Sequence, residues 1–148
     1  RADIVIVSQG GAPKDLNLYQ TQKALDNAKH AVRKGGIIIL VGSCREGLGE
    51  KTFESWMESA PTAHSMIERI QRDFQLGGHK AAAIAMVLED ADIYLVSELS
   101  EEKVRSLFLQ PAADVQSALD EAFARLGDGA GVLVMPYGGS TLPKVRGE

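Results

Sequence analysis

Tyr19, Gln20 and Lys23 stand close together just after a glycine pair, Gly10-Gly11, which itself follows the β-branched run Ile4-Val5-Ile6-Val7. Three or four residues apart, they project from neighbouring positions at the start of a helix. They offer a cation for a carboxylate or phosphate, an amide that donates and accepts, and a flat ring bearing a hydroxyl. A surface that binds and orients a small anion is the chemistry open to them. The same residues also admit a structural role: Asn17 with Gln20 fits a capping-box arrangement, Lys23 a solvated helix position and Tyr19 a core edge.

For these side chains to meet a ligand, a buried strand must end at the glycines and a helix must begin near Asn17. The spacing predicts a first strand from Asp3 to Ser8 and a helix from about Asn17 to Lys34, with Leu18, Leu25, Ala28 and Val32 as its apolar stripe. A second apolar strand, Ile37 to Val41, stops at Gly42-Ser43-Cys44-Arg45-Glu46-Gly47. Lys51 to Asp90 reads as two or three helices, the last beginning at His79 after Gly77-Gly78, and Trp56 lies on an apolar stripe as core. Then come a strand at Ile93 to Val96, a short helix capped by Ser100, a brief strand at Phe108-Leu109, an amphipathic helix over Asp114 to Leu126 and a last strand, Gly131 to Met135.

This order predicts an α/β, three-layer, Rossmann-like domain over residues 1–148, with a mostly parallel four- or five-stranded sheet flanked by helices. Ligands of such sheets bind beyond the carboxyl ends of the strands. The loops after the first, second and last strands are therefore expected to surround one crevice, with the helix amino ends near Asn17 and His79 turning N–H groups toward an anion.

With 45% hydrophobic and 24% charged residues, the chain can bury a core. A net charge of -4 gives no basic footprint for nucleic acid. No apolar run is long enough to span a bilayer and no signal peptide is visible, so no membrane association and a cytoplasmic location are expected. Gly10-Gly11 lacks the third glycine of a dinucleotide fingerprint, and no phosphate-loop motif occurs. Cys44 beside Arg45 is a conceivable thiolate, but a thiol enzyme would need a histidine close by. His30, His64 and His79 lack metal-ligand spacing, so no metal site is expected from this chain alone; His79, at a helix start, is the best placed for a ligand.

The segment Gly10-Gly11-Ala12-Pro13-Lys14-Asp15-Leu16-Asn17-Leu18-Tyr19-Gln20-Thr21-Gln22-Lys23-Ala24-Leu25 resembles the signature of the carboxyl-terminal domain of the nickel-dependent lactate racemase family. The runs Gly35 to Leu40, Cys44 to Gly49, Gly78 to Ala81 and Val134 to Pro143 are similar to the same family, so the resemblance covers nearly the whole chain. It implies a two-domain enzyme that interconverts the stereoisomers of a small 2-hydroxy acid by a hydride step, as a racemase or epimerase. A nickel pincer nucleotide would be held between the domains. It also implies that an amino-terminal domain of the parent protein supplies the lysine tethered to the cofactor, the nickel-binding histidine and two acid/base histidines. None of those catalytic groups is in this fragment, which would be inactive alone. Carried over by motif, Tyr19, Gly10 and Gly11 would face the cofactor, while Gln20 and Lys23 would bind the substrate carboxylate and neighbouring oxygens. His79 aligns with a tryptophan of some members, and its different size and polarity imply a different preference among hydroxy acids. Arg1, in place of a start methionine, reads as the beginning of a piece excised at a domain boundary. The alternative from the residues alone is a nonenzymatic α/β module that binds a nucleotide or small anion.

Overall fold

The computed structural model describes residues 1–148. Five strands form one sheet: β1 (Ala2–Ser8), β2 (Val32–Val41), β3 (Ala91–Val96), β4 (Gln110–Ala112) and β5 (Val132–Met135). Their order is β4-β3-β2-β1-β5 and every pairing is parallel. The chain thus steps outward from β1 to β4 and then returns to lay β5 on the free side of β1. The α/β parallel sheet expected from the sequence is what forms.

Six helices connect and flank the strands: α1 (Leu18–Ala28), α2 (Lys51–Ser59), α3 (Ala63–Arg72), α4 (Gly78–Asp90), α5 (Glu101–Ser106) and α6 (Val115–Leu126). Five of the six begin with a side-chain cap. Asn17, Glu50, Thr62, Ser100 and Asp114 accept from the backbone N–H groups of Gln20, Phe53, Ser65, Lys103 and Ser117, satisfying donors that the helix itself leaves unpaired. Only α4 starts without one, at Gly77.

The continuous apolar runs follow from burial on two faces. Val5, Val7, Ile38, Leu40, Ile93 and Leu95 pack with α1 to α5 in the larger core, which encloses Phe53, Trp56 and Met57. Ile4, Ile37, Ile39 and Tyr94 face the other way, against Ala118 and Ala122 of α6. Trp56 is core, as expected, and its Nε1 donates to Gln75 Oε1 at 3.0 Å.

Three boundaries differ from the expectation. α1 ends at Ala28 rather than near Lys34, and Val32 belongs to β2, where it pairs with Ala2. The apolar spacing that placed Val32 on a helical stripe is that of a strand already returning to the sheet. Phe108 is not in a strand: it turns through a positive φ of 66° after α5, and β4 begins two residues later. β5 is an edge strand, so its apolar residues Val132, Leu133 and Val134 stay substantially exposed.

Behind β1, the backbone of Gly138 lies so close to Val7 that an added Cβ would stand 2.2 Å from Val7 Cγ2 and 3.0 Å from the Ser8 carbonyl oxygen. Gly138→Ala is expected to lower unfolding stability in urea by about 1–3 kcal/mol through this overpacking. Gly129→Ala, where the added carbon meets nothing within 4 Å, is expected to change it by less than about 0.5 kcal/mol.

Candidate functional site

The turn from β1 into α1 is held by its neighbour, the loop after β2. Gly10 and Gly11 have φ of 110° and 80°, values that side-chain-bearing residues rarely adopt, and they direct the chain out of the sheet. Beyond them, Cys44 N donates to the Asp15 carbonyl at 2.9 Å and Glu46 N to the Leu16 carbonyl at 2.8 Å. Ser43 N donates to Asp15 Oδ2 at 3.1 Å. In return, Leu18 N and Tyr19 N donate to the carbonyls of Gly47 and Leu48, both at 3.0 Å.

With Gln20 N on Asn17 Oδ1 at 2.8 Å, the N–H groups of Leu18, Tyr19 and Gln20, the first three of α1, are all occupied, and Thr21 N makes the first helical bond, to the Asn17 carbonyl at 3.1 Å. The amino end expected to receive an anion is therefore closed to one. The loop after β2 likewise supports α1 from beneath, with Cys44 fully buried, instead of forming a third wall of a crevice. The loop after β5 does approach the first turn: a Cβ on Gly10 would lie 3.5 Å from Cδ1 of the exposed Tyr137.

What α1 offers outward is side chains. Gln20 and Lys23 are exposed and Tyr19 is half-buried. On a helix these three occupy one arc, with Lys23 between the other two. Asn17 caps as expected, but the Gln20 side chain makes no return bond, so half of the capping box forms and the Gln20 amide stays free. Tyr19 is both core edge and surface: its ring meets Phe53 edge-on, with centroids 5.5 Å apart, and its other surroundings belong to α4.

There the structure reveals a residue to which the sequence reading gave no weight. Lys80 Nζ lies 4.1 Å from the centroid of the Tyr19 ring and donates to the Tyr19 carbonyl at 2.9 Å. Burial lowers its pKa; Asp26 opposes that shift and Lys23 adds to it. The available signal was a lysine in the first turn of a helix, where the positive end of the dipole disfavours a cation. His79 turns Nδ1 back to accept from Gly77 N at 3.0 Å and packs by Phe74, ring centroids 5.9 Å apart. Neutral His79 therefore carries its proton on Nε2. Tyr19 and Lys80 are thus brought into contact, with His79 adjacent in the same first turn of α4. Gln20 and Lys23 are exposed, while Tyr19 and His79 are partly covered.

The other candidates separate from it. Cys44 is fully buried, donates weakly to Thr21 Oγ1 at 3.9 Å, and is pushed up to about 11 by burial. A protonated thiol in that setting is no nucleophile at neutral pH. His64 pairs with Glu68 and Glu89, and no three His, Cys, Asp or Glu side chains gather where they could hold a metal.

Residues 1–142 match the family model of the lactate racemase C-terminal domain. The chain belongs to that family. It is 31% identical to a lactate racemase of Thermoanaerobacterium thermosaccharolyticum over 98% of its own length and 35% of that protein's. To the lactate racemase of Lactiplantibacillus plantarum it is 28% identical, over 92% of this chain and 33% of the relative. The chain therefore spans about a third of the curated relatives it matches. Its fold superposes on the lactate racemase apoprotein of T. thermosaccharolyticum with a TM-score of 0.91 at 28% identity, over 97% of this chain and 36% of that one. A Thermotoga maritima protein shares the fold at a TM-score of 0.63 and 15% identity. No helix is long and apolar enough to cross a membrane.

Because burial raises the Cys44 pKa to about 11, its thiolate fraction stays small until the pH approaches that value. Alkylation of the folded chain by iodoacetamide is expected to be slow at pH 8 and to accelerate only above about pH 10. In urea it should be fast at pH 8. Rapid modification of the folded chain at neutral pH would contradict the buried, protonated thiol.

Proposed function

We propose that this chain is the substrate- and cofactor-facing half of a 2-hydroxy acid racemase or epimerase dependent on a nickel pincer nucleotide, and that it is inactive without an amino-terminal domain of its parent protein. The observation that carries the reading is the outward arc of Tyr19, Lys23 and Gln20 on a helix whose first three N–H groups, those of Leu18, Tyr19 and Gln20, are occupied, in a chain of this family. The surface recognises by side-chain charge and shape rather than by a backbone phosphate cradle. That weighs against an anion held at the amino end of α1, one form of the alternative of a nonenzymatic binding module.

The residues present fit half of such a site. In this reading the metal would be carried by the nucleotide and held by the other domain, and this chain would supply contacts to the cofactor and the substrate. The half-buried Tyr19 ring is a platform for a flat group, and Lys23 is an exposed cation beside it. When bound, the nickel pincer nucleotide would supply a reversible acceptor for the hydrogen at C2. Lys23 would pair with the substrate carboxylate, and the Gln20 amide would donate to a carboxylate or hydroxyl oxygen. Two anchors on one helix hold the carboxylate end of a small acid in place, while rotation about the bond from the carboxylate to C2 leaves either face of C2 free to be presented, as interconversion of stereoisomers requires. Gly10 and Gly11 would allow close approach of the cofactor along the backbone, and His79 Nε2–H would face the substrate's variable end. Acid/base transfer at the hydroxyl falls to the other domain. A cytoplasmic location accompanies this reading, in keeping with one unpaired thiol.

The test is chiral analysis of a panel of 2-hydroxy acids incubated with the parent protein loaded with cofactor. Racemisation of at least one acid is expected, and the 148-residue chain by itself should give none. Lys23→Ala in the parent protein should lower kcat/KM by about 2–4 kcal/mol, roughly 30- to 1000-fold, by removing the carboxylate's partner. A near-normal rate would refute the assigned role of Lys23.

A further inference from the structure

Lys80 stands where elementary electrostatics disfavours it. It lies in the first turn of α4, at the positive end of the helix dipole. It is partly buried, and Lys23, a second cation, is near enough to disfavour its charge further. Of the charged groups around it only Asp26 favours the ammonium, and that carboxylate approaches Lys29 instead, at 3.6 Å. The ammonium instead lies on Tyr19, 4.1 Å from the ring centroid and bonded to its carbonyl oxygen at 2.9 Å. A cation that accepts three unfavourable influences and contacts one residue twice is spent on that residue.

The consequence for Tyr19 is geometric. Phe53 meets the ring edge-on with an interplanar angle of 63°, and Lys80 covers a face. Between them the ring loses its freedom to swing, and the carbonyl bond ties α4 to the first turn of α1. Lys23, one turn along α1 from Tyr19, is a like charge; repulsion from Lys80 favours the outward, exposed placement of its ammonium.

We propose that Lys80 is a positioning residue: it locks the Tyr19 ring in orientation and keeps the Lys23 ammonium turned outward, so that ring and cation face the same ligand. This rests on the reading of Tyr19 and Lys23 given under the proposed function. Lys80 touches no ligand in this scheme. An arginine keeps both the charge and the stacking over an aromatic face, whereas methionine keeps the length and loses both.

The experiment compares Lys80→Met, Lys80→Arg and the surface control Lys34→Met. In the 148-residue chain, the Tyr19 ring and Lys23 side-chain resonances are followed by NMR, with thermal melts reporting the fold. Lys80→Met is expected to shift both sets of resonances and speed ring flipping without loss of the cooperative melt. Lys80→Arg should stay close to wild type, and Lys34→Met should change nothing. In the loaded parent protein, Lys80→Met should lower kcat about tenfold and raise the hydroxy acid KM, with Lys80→Arg restoring most of both. Tyr19 resonances indifferent to Lys80→Met would overturn the proposal whatever the activity, as would unchanged kinetics in a parent enzyme that is active. If Tyr19 responds as expected but the wild-type parent racemises no 2-hydroxy acid, the racemase reading falls and the positioning of Tyr19 by Lys80 stands. Should Lys80→Met fail to melt cooperatively, Lys80→Gln provides the same comparison with a polar side chain.

Discussion

The structure of the site depends on an exchange of backbone hydrogen bonds between two loops. The chain after β2 receives carbonyl oxygens from Asp15 and Leu16 and returns those of Gly47 and Leu48 to the first N–H groups of α1. A helix start normally leaves four donors seeking partners. Here three of them, those of Leu18, Tyr19 and Gln20, are consumed internally, and the direction of α1 is fixed by the sheet rather than by a ligand. Everything displayed on the outward face of that helix inherits the rigidity of β1 and β2. The buried Cys44 and the carboxylate of Asp15 belong to this fastening.

On that base the molecule divides its work between the two sides of α1. Leu18, Leu25 and Ala28 face the core under the helix, while Lys23 and Gln20 face out. Tyr19 sits at the boundary, with Phe53 below and Lys80 beside it. The boundary position makes an aromatic residue suitable, since a ring can be packed on one side and wet on the other. α4 then matters less as a wall of the core than as the carrier of His79 and Lys80 to the flank of α1.

Much of this was legible in the sequence, for identifiable reasons. Strands buried on both faces write themselves as unbroken runs, as in Ile37 to Val41, and parallel order follows from the alternation of such runs with helices. The position of Tyr19, Gln20 and Lys23 on one helical arc follows from spacing alone. What escaped was tertiary. Nothing local says that Val32 leaves the helix to pair with Ala2, because an apolar residue fits either stripe. Nor does spacing reveal that carbonyls from Gly47 and Leu48 close the helix end, since backbone partners have no sequence signature. Lys80 was hidden for a related reason: its role depends on a ring sixty-one positions away.

The closed amino end of α1 has a consequence for how such a site changes over time. Backbone amides that cradle a ligand are the same whatever residues carry them, so a site built from them is hard to retune without remodelling a loop. This surface presents almost nothing but side chains, on two helices whose cores lie elsewhere. A single codon change at Gln20 or Lys23, whose side chains make no hydrogen bond within the chain, alters what is presented while leaving the hydrogen-bonded frame beneath it intact. The fold therefore acts as a fixed mount with interchangeable contacts, and divergence in ligand preference among chains of this shape needs no divergence in architecture.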